Sequence, residues 1–437
     1  MTEYGTALTS LFCAAVLMLP RRQAALAFIA AVLYITQGQS TDVGGINMMA
    51  IRFVEIAAAI RVMLRKEIAA VRITAPDILL LLFFLACMAI TILRTGALDS
   101  YTIGLAVDGV LVYFAFRAFI STPEDFTFFM KGMVMLLVPF AVIMVAEAAS
   151  GVNLFYLMGG IPENPYYRDG SFRAQGSFRH AITAGSVGAT FFPIFTGFLF
   201  QKTSRIWAML GIAASLTIVI ASHSSGPLMT TIVAAAAWCC WSIRQHMNWV
   251  RRGIVATLIG LHLIMKAPVW FIFDRLSGVI GGDGWHRSNI IDQFINSFGE
   301  WWLVGMPFEN TRDWAATTMS FGSADITNYY VYTGISGGLI SLLVFVSMLV
   351  AVFKLVGRGL QNMRKDSSKM AVLEPVLWGV SSAICAHIVN FTAVSYWDQS
   401  YVIWYLHLAI AVTLGSYCVI GQHDTMSLNR KSNKTLG

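Results

Sequence analysis

The run APDILLLLFFLACMAITIL at residues 75–93 carries one charge in nineteen positions. A helix needs about 20 apolar residues to cross the hydrocarbon core of a bilayer, so this stretch alone commits the chain to a membrane. Comparable runs recur, and thirteen spans are predicted at 5–19, 23–37, 47–64, 75–93, 101–120, 126–148, 181–200, 206–222, 226–243, 253–271, 328–353, 372–391 and 400–420. Periodicity adds little, because helices facing lipid are apolar nearly all round. Only 12% of residues are charged, about half the share of a soluble domain. The expected fold class is an all-α polytopic membrane protein with about 12–13 transmembrane helices, forming one integral membrane domain over residues 1–437. The first two spans are short and flank Pro20, so they form either two crossings or a re-entrant hairpin.

The net charge of +7 is compatible with a nucleic-acid partner. Its distribution argues against one, because lysines and arginines fall in short clusters between apolar spans, as in cytoplasmic loops. The six cysteines (Cys13, Cys87, Cys239, Cys240, Cys385, Cys418) lie inside spans and form no CxxC pair, which indicates neither a disulfide framework nor a zinc site. Basic residues follow the first apolar run, in PRR at 20–22, rather than precede it. A cleavable signal peptide has the opposite polarity.

With thirteen spans, seven basic clusters fall on one side: Arg21/Arg22, Arg65/Lys66/Arg72, Arg117/Lys131, Lys202/Arg205, Arg244/Arg251/Arg252, Lys354 to Lys369, and Arg430 to Lys434. The positive-inside rule makes that side, with the tail 421–437, cytoplasmic. Loops 149–180 and 272–327 then lie outside. Arg168, Arg173, Arg179, Arg275, Arg287 and Arg312 sit there, on the side the rule disfavours. They are either solvated charges paired with Glu163, Asp169, Asp283 or Asp313, or ligands for an anion. Guanidinium forks match phosphate oxygens bidentately.

Three predicted spans begin on the same outer side, after His180, at SHSSGP (222–227) with Pro227 at the first helical position, and at DITNYY (325–330). Helix N-termini attract anions, so convergence of these ends would add to the arginines. Ser225 and Asp325 are also plausible N-caps. Of the outward histidines His180, His223 and His286, none has the spacing of a metal ligand pair. His180 and His286 suit proton transfer or hydrogen bonding to pyrophosphate. Inside the membrane, Arg52 and Glu55 are three apart and are expected to pair on one helix face. Asp108 is a further intramembrane ionisable group, and Glu147 is expected at the outer interface. Aromatics in WFIFDRL, GWHRS and GEWWLVG suggest a segment on the membrane surface, or a platform for sugar rings.

Four landmarks together resemble the O-antigen ligase and polymerase superfamily of bacterial envelope glycosyltransferases. They are RDGSFRAQGSFRHAITAG (168–185), SSGP (224–227), WHRSNIIDQFINSFGEWWLVG (285–305) and DITNYYVYTGISGGLISLLVF (325–345), in family order over about residues 145–355. The resemblance implies a GT-C-like helical bundle with a long extracytoplasmic loop, in the bacterial inner membrane, with its active site facing the periplasm. The implied donor is a glycan on undecaprenyl pyrophosphate, and the chemistry needs no metal or cofactor. Arg173, Arg179 and Arg287 would be phosphate ligands, with His180, Arg275 and Asn328 in the substrate-binding set. Membrane lipids, an acceptor glycan or lipid, and flippase and chain-length proteins are the implied partners, without nucleic acid.

Ligases carry a histidine immediately before the asparagine equivalent to Asn328, and here that residue is Thr327. The expected activity is therefore polymerisation of lipid-linked repeat units, with Asp325 as general base and His286 in reserve. Transfer of a finished glycan to a lipid A core is the alternative within the class. A transporter without bond-making activity is the alternative outside it, although the chain shows no internal repeat and its unusual charges lie at a surface rather than at the midplane.

Overall fold

The computed structural model describes residues 1–315, 322–365, 372–397 and 399–434, with side chains of the last helix described to residue 419. Lys369 and the side chains of the tail cluster Arg430 to Lys434 lie outside the described residues. The described chain is all-α and membrane-embedded, with sixteen α-helices and two short two-stranded hairpins. Eight helical segments are long and apolar enough to cross a membrane.

The helices are α1 (Glu3–Met18), α2 (Arg21–Tyr34), α3 (Ala50–Leu64), α4 (Ala75–Thr95), α5 (Ser100–Phe119), α6 (Pro123–Ser150), α7 (Ala181–Phe198), α8 (Arg205–Ala221) and α9 (Ser225–Cys239), followed by α10 (Met247–Ile264), α11 (Ile272–Ile280), α12 (Gly284–Asn296), α13 (Phe298–Trp301), α14 (Tyr329–Lys365), α15 (Glu374–Asn390) and α16 (Ser400–Lys434). One group packs α7 against α8, α9 and α15, and a second packs α14 against α4 and α16. Helices α1, α2, α3 and α5 close the remaining side. Small residues of α7 such as Gly185 and Gly188 let its neighbours approach closely.

The loops segregate to two ends. At the loop-bearing end, the Gln37 N–H donates to the Ser177 carbonyl, Arg173 reaches Ser224, and Ser395 donates to the Ile326 carbonyl. At the opposite, basic end, Arg21 and Arg22 bond Asp125, and Arg244 and Arg364 share Glu374. Helix α1 runs from Thr2, beside Gln39 and Met158, to Leu19, beside Arg61. Helix α2 returns from Arg21 to the level of Ser177. Each therefore connects both ends of the bundle.

Three expectations are corrected. Arg52 pairs not with Glu55 but with Asp108 on α5, its Nε and Nη2 donating to the carboxylate at 2.8–3.0 Å. Asp108 on the facing helix meets Nε and Nη2 together, which matches the flat guanidinium fork. Glu55 instead accepts from the Tyr401 hydroxyl at 2.8 Å. Arg117, grouped with the cytoplasmic loop charges, is buried and donates to Asp77, Thr413 Oγ1 and the Arg72 carbonyl. The stretch 328–353, read as one span, is broken inside α14 at Gly338 (φ 65°, ψ −177°), a conformation open mainly to glycine.

That break is filled rather than exposed. The Ile335 carbonyl accepts from the Met306 N–H at 2.8 Å, Arg94 donates to the carbonyls of Ile335 and Ser336, and the Leu339 N–H donates to Trp302. A satellite apolar cluster of Ile290, Trp301, Met306, Trp314, Val331 and Ile335 packs α12, α13 and the turns after them against the first half of α14.

Candidate functional site

The arginine segment is held rigidly although it is irregular. Its entry is a tight hairpin that pairs Tyr167 with Phe172 and Arg168 with Ser171. Asp169 and Gly170 at the tip both have positive φ, 52° and 82°, the turn that Asp-Gly favours. The chain then dives inward, and residues 174–178 are buried. Glu147, expected at the interface, is instead fully buried at the end of α6. Its two carboxylate oxygens accept the N–H groups of Gln175 and Gly176, both at 2.9 Å. A buried loop must satisfy its backbone polar groups, and Glu147, Asn153 and Gln37 do so here.

This anchoring presents Arg173 to the start of α9. Its Nη2 donates to Ser224 Oγ at 2.6 Å, while its Nε is buried without a hydrogen-bond partner. Arg287, on the first turns of α12, approaches the same place, with its Nη2 3.9 Å from where a Cβ on Gly226 would lie. Burial, and the positive charges of Arg168 and Arg173, push the Arg287 guanidinium below its ordinary value, with Asp283 opposing. Burial and Arg168 act on Arg173 in the same direction. Arginine stays protonated in proteins, so the site carries desolvated, mutually repelling positive charge. Among the described residues Arg173 and Arg287 form no ion pair, while exposed Arg168 meets Asp169 at 3.3 Å.

A cavity of about 120 Å³ lies between these groups, lined by Arg168, Ser171, Arg173, His223, Ser225 and Gly282 among others. A smaller one of about 40 Å³, lined by Arg287, Gly226 and Ser277, shares Ser225 and Gly281 with it. Both border the N-terminus of α9, which has no side-chain cap. Ser224 rather than Ser225 precedes the helix, and Pro227 occupies its third position, not its first. The first turns of α7 and α9 are adjacent, since a Cβ on Gly226 would lie 3.7 Å from Ile182. The α14 end is different. Asn328 Oδ1 accepts from the Tyr330 and Val331 N–H groups, and the Tyr329 N–H donates to Phe391. Asn328, not Asp325, is the cap, so two of the three expected helix ends remain open to an anion.

Asp325 is thereby free of a capping role. Its side chain is exposed and lies near enough to His180 to favour that imidazole's charged form. Burial dominates there, helped by Arg179 and Arg173, and His180 sits below its ordinary value. His286 Nε2 lies 2.8 Å from the Asp325 carbonyl. A carbonyl only accepts, so Nε2 carries the proton and Nδ1 is left as the basic atom. Asp283 caps α12 and fixes the His286 backbone.

The remaining predicted residues lie further off. Exposed Arg179 stacks over Trp397, 5.6 Å from its centroid, and His180 meets the same ring edge-on at 5.4 Å. Arg275 is exposed on α11, with no contact to the cluster among the described residues. The outer-loop location of Arg168 marked it as a candidate anion ligand, whereas no site role followed from the sequence for Ser224 or Trp397. No group of three metal-ligating side chains occurs among the described residues. No family model matches the chain, and no curated protein matches it significantly.

Proposed function

We propose that this protein is a membrane glycosyltransferase that polymerises undecaprenyl-pyrophosphate-linked repeat units at the outer face of the bacterial inner membrane. The observation that carries the reading is the gathering of Arg168, Arg173 and Arg287 at the N-terminus of α9, where Arg173 and Arg287 form no ion pair among the described residues. Such a site is matched by a pyrophosphate, which offers oxygens to every donor. In this reading the bundle is GT-C-like with twelve to thirteen crossings, and the loop-bearing end faces the periplasm.

The acceptor hydroxyl attacks the anomeric carbon as the bond from that carbon to the pyrophosphate oxygen breaks. Undecaprenyl pyrophosphate leaves with the electron pair, and the arginines and α9 stabilise the developing charge. Asp325 accepts the hydroxyl proton, with His286 Nδ1 as the alternative base. In this reading His180, which feels the charges of both Asp325 and Arg173, steadies the phosphate by hydrogen bonding. Cofactor and metal have no part in this scheme.

The rivals predict different products. Purified protein in liposomes, given the lipid-linked repeat unit with a chelator present, should yield a ladder of longer glycans and release undecaprenyl pyrophosphate. Transfer only to a lipid A core would favour the ligase reading. The break in α14 favours a transporter, and movement of intact donor without any new glycosidic bond would establish that reading instead.

A further inference from the structure

A separate cavity, of about 240 Å³, opens between the loop-bearing ends of α4, α5, α14 and α16. Six tyrosines line it: Tyr101, Tyr329, Tyr332, Tyr396, Tyr401 and Tyr405. Phe83, Phe84 and Phe308 add aromatic faces, hydroxyls of Thr91, Thr102, Thr333 and Ser336 are interspersed, and Asp108 lies at the buried end. The walls are preset. At the rim the hydroxyls of Tyr101 and Tyr332 are 2.9 Å apart, and Tyr329 stacks on Tyr332. Asn390 Nδ2 donates to the Tyr396 hydroxyl at 2.7 Å, which directs the tyrosine proton to His387 Nδ1 at 2.8 Å. Tyr401 is tied to Glu55 and Asp108 to Arg52.

The break in α14 borders this cavity. Non-helical backbone at membrane depth is tolerated where it is buried in protein or lines a cavity. The half-helix before Gly338 supplies Tyr329, Tyr332, Thr333 and Ser336 to this wall. Arg94, also in the wall, is spent on the carbonyls freed by the break.

We propose that this cavity binds one uncharged pyranose ring. A sugar presents apolar C–H faces, which aromatic rings cover, and hydroxyls that both donate and accept, as tyrosine, threonine and serine do. These hydroxyls and the Asp108 carboxylate are bonded to protein groups yet keep spare donor and acceptor capacity, which a sugar can use and a lipid tail cannot. An anion would meet Asp99 and Asp108 and find Arg94 already engaged. The volume falls below the roughly 300 Å³ at which pockets for larger ligands begin, which suits a single ring. The Asp325 carboxylate acts on His180, and Tyr329, four residues on, lines this cavity. In the glycosyl-transfer reading, on which its role but not its binding rests, the ring is the terminal sugar of the acceptor.

Saturation-transfer NMR on the full-length protein in nanodiscs tests this with free glucose, galactose and N-acetylglucosamine as probes through the millimolar range. At least one should receive saturation, and Tyr332→Ala and Thr102→Phe, one removing a wall and one filling the space, should each weaken binding at least tenfold. Arg287→Lys should leave binding unchanged. Either cavity variant that elutes and melts like wild type suffices as the test. Absence of binding by all three sugars, wild-type binding in a folded cavity variant, or equal loss in Arg287→Lys overturns the proposal. Sugar binding without any transfer activity would sink the enzymatic reading and leave this site standing, and transfer without sugar binding would do the reverse.

Discussion

The two ends of the bundle treat arginine differently. At the basic end Arg21 and Arg22 converge on Asp125, Arg61 meets Glu67, Arg117 meets Asp77, and Arg244 and Arg364 share Glu374. At the loop-bearing end Arg173 and Arg287 are desolvated beside one another and Arg168, without such partners among the described residues. The first set consumes its charge in holding helices together. The second keeps its charge available, and the fold bears the cost through the buried Glu147 anchor. A chain that places half-buried arginines against each other is storing affinity for an anion.

The largest effect that would sharpen this contrast is at Asp325. Its exposed carboxylate caps nothing, so Asp325→Asn should melt like wild type. A positioned base contributes about 10²–10⁴-fold, and chain extension should fall by that factor, while Thr327→Ala stays active. Extension at the wild-type rate would move the base to His286. Next comes Asp77, fully buried against Arg117. Removing one partner of a buried pair costs about 3–5 kcal/mol, so Asp77→Ala should lower thermal stability sharply. Arg173→Ala removes repulsion and should leave stability unchanged or raised. Opposite signs in calorimetry are expected, and equal destabilisation would erase the distinction between the ends.

A third contrast concerns geometry. Arg173→Lys and Arg287→Lys keep charge but lose the fork, and a charge-assisted hydrogen bond is worth roughly 1.5–3 kcal/mol. Activity should fall by about one to two decades, with normal expression; full activity in both would make them solvated loop residues. The smallest effect is at His180, whose imidazole is held below its ordinary value. The folded protein then binds fewer protons there than the unfolded chain, so stability declines as pH falls below about 6.5. His180→Gln should flatten that slope in a melting series, and an unchanged slope would assign it to another group.

Much of this was readable in the apolar runs and charge clusters. Helices occur where the runs lie, and Arg173, Arg287, His286 and Asp325 come to one end although they span more than 150 positions. What stayed hidden depended on packing between helices. Arg52 chose Asp108 over Glu55 because α5 lies against α3. The break at Gly338 was hidden because glycines are common in membrane helices, and only the loop that fills it makes it stable. Asn328 displaced Asp325 as the cap because the helix begins later than the motif suggested. Nothing local in the sequence marks Glu147 as an anchor, since its partners are backbone N–H groups.

The central claim, that the unpaired arginines await a pyrophosphate, is tested most directly by ligand-induced stabilisation. Farnesyl pyrophosphate, a short-chain probe, should raise the melting temperature of the full chain in proportion to the logarithm of its concentration above Kd. Added salt should weaken the effect. Arg287→Lys should need at least tenfold more ligand for the same rise, while farnesol should give none. Equal stabilisation of wild type and Arg287→Lys, or by farnesol, would show that the prenyl chain alone is recognised and would contradict the account.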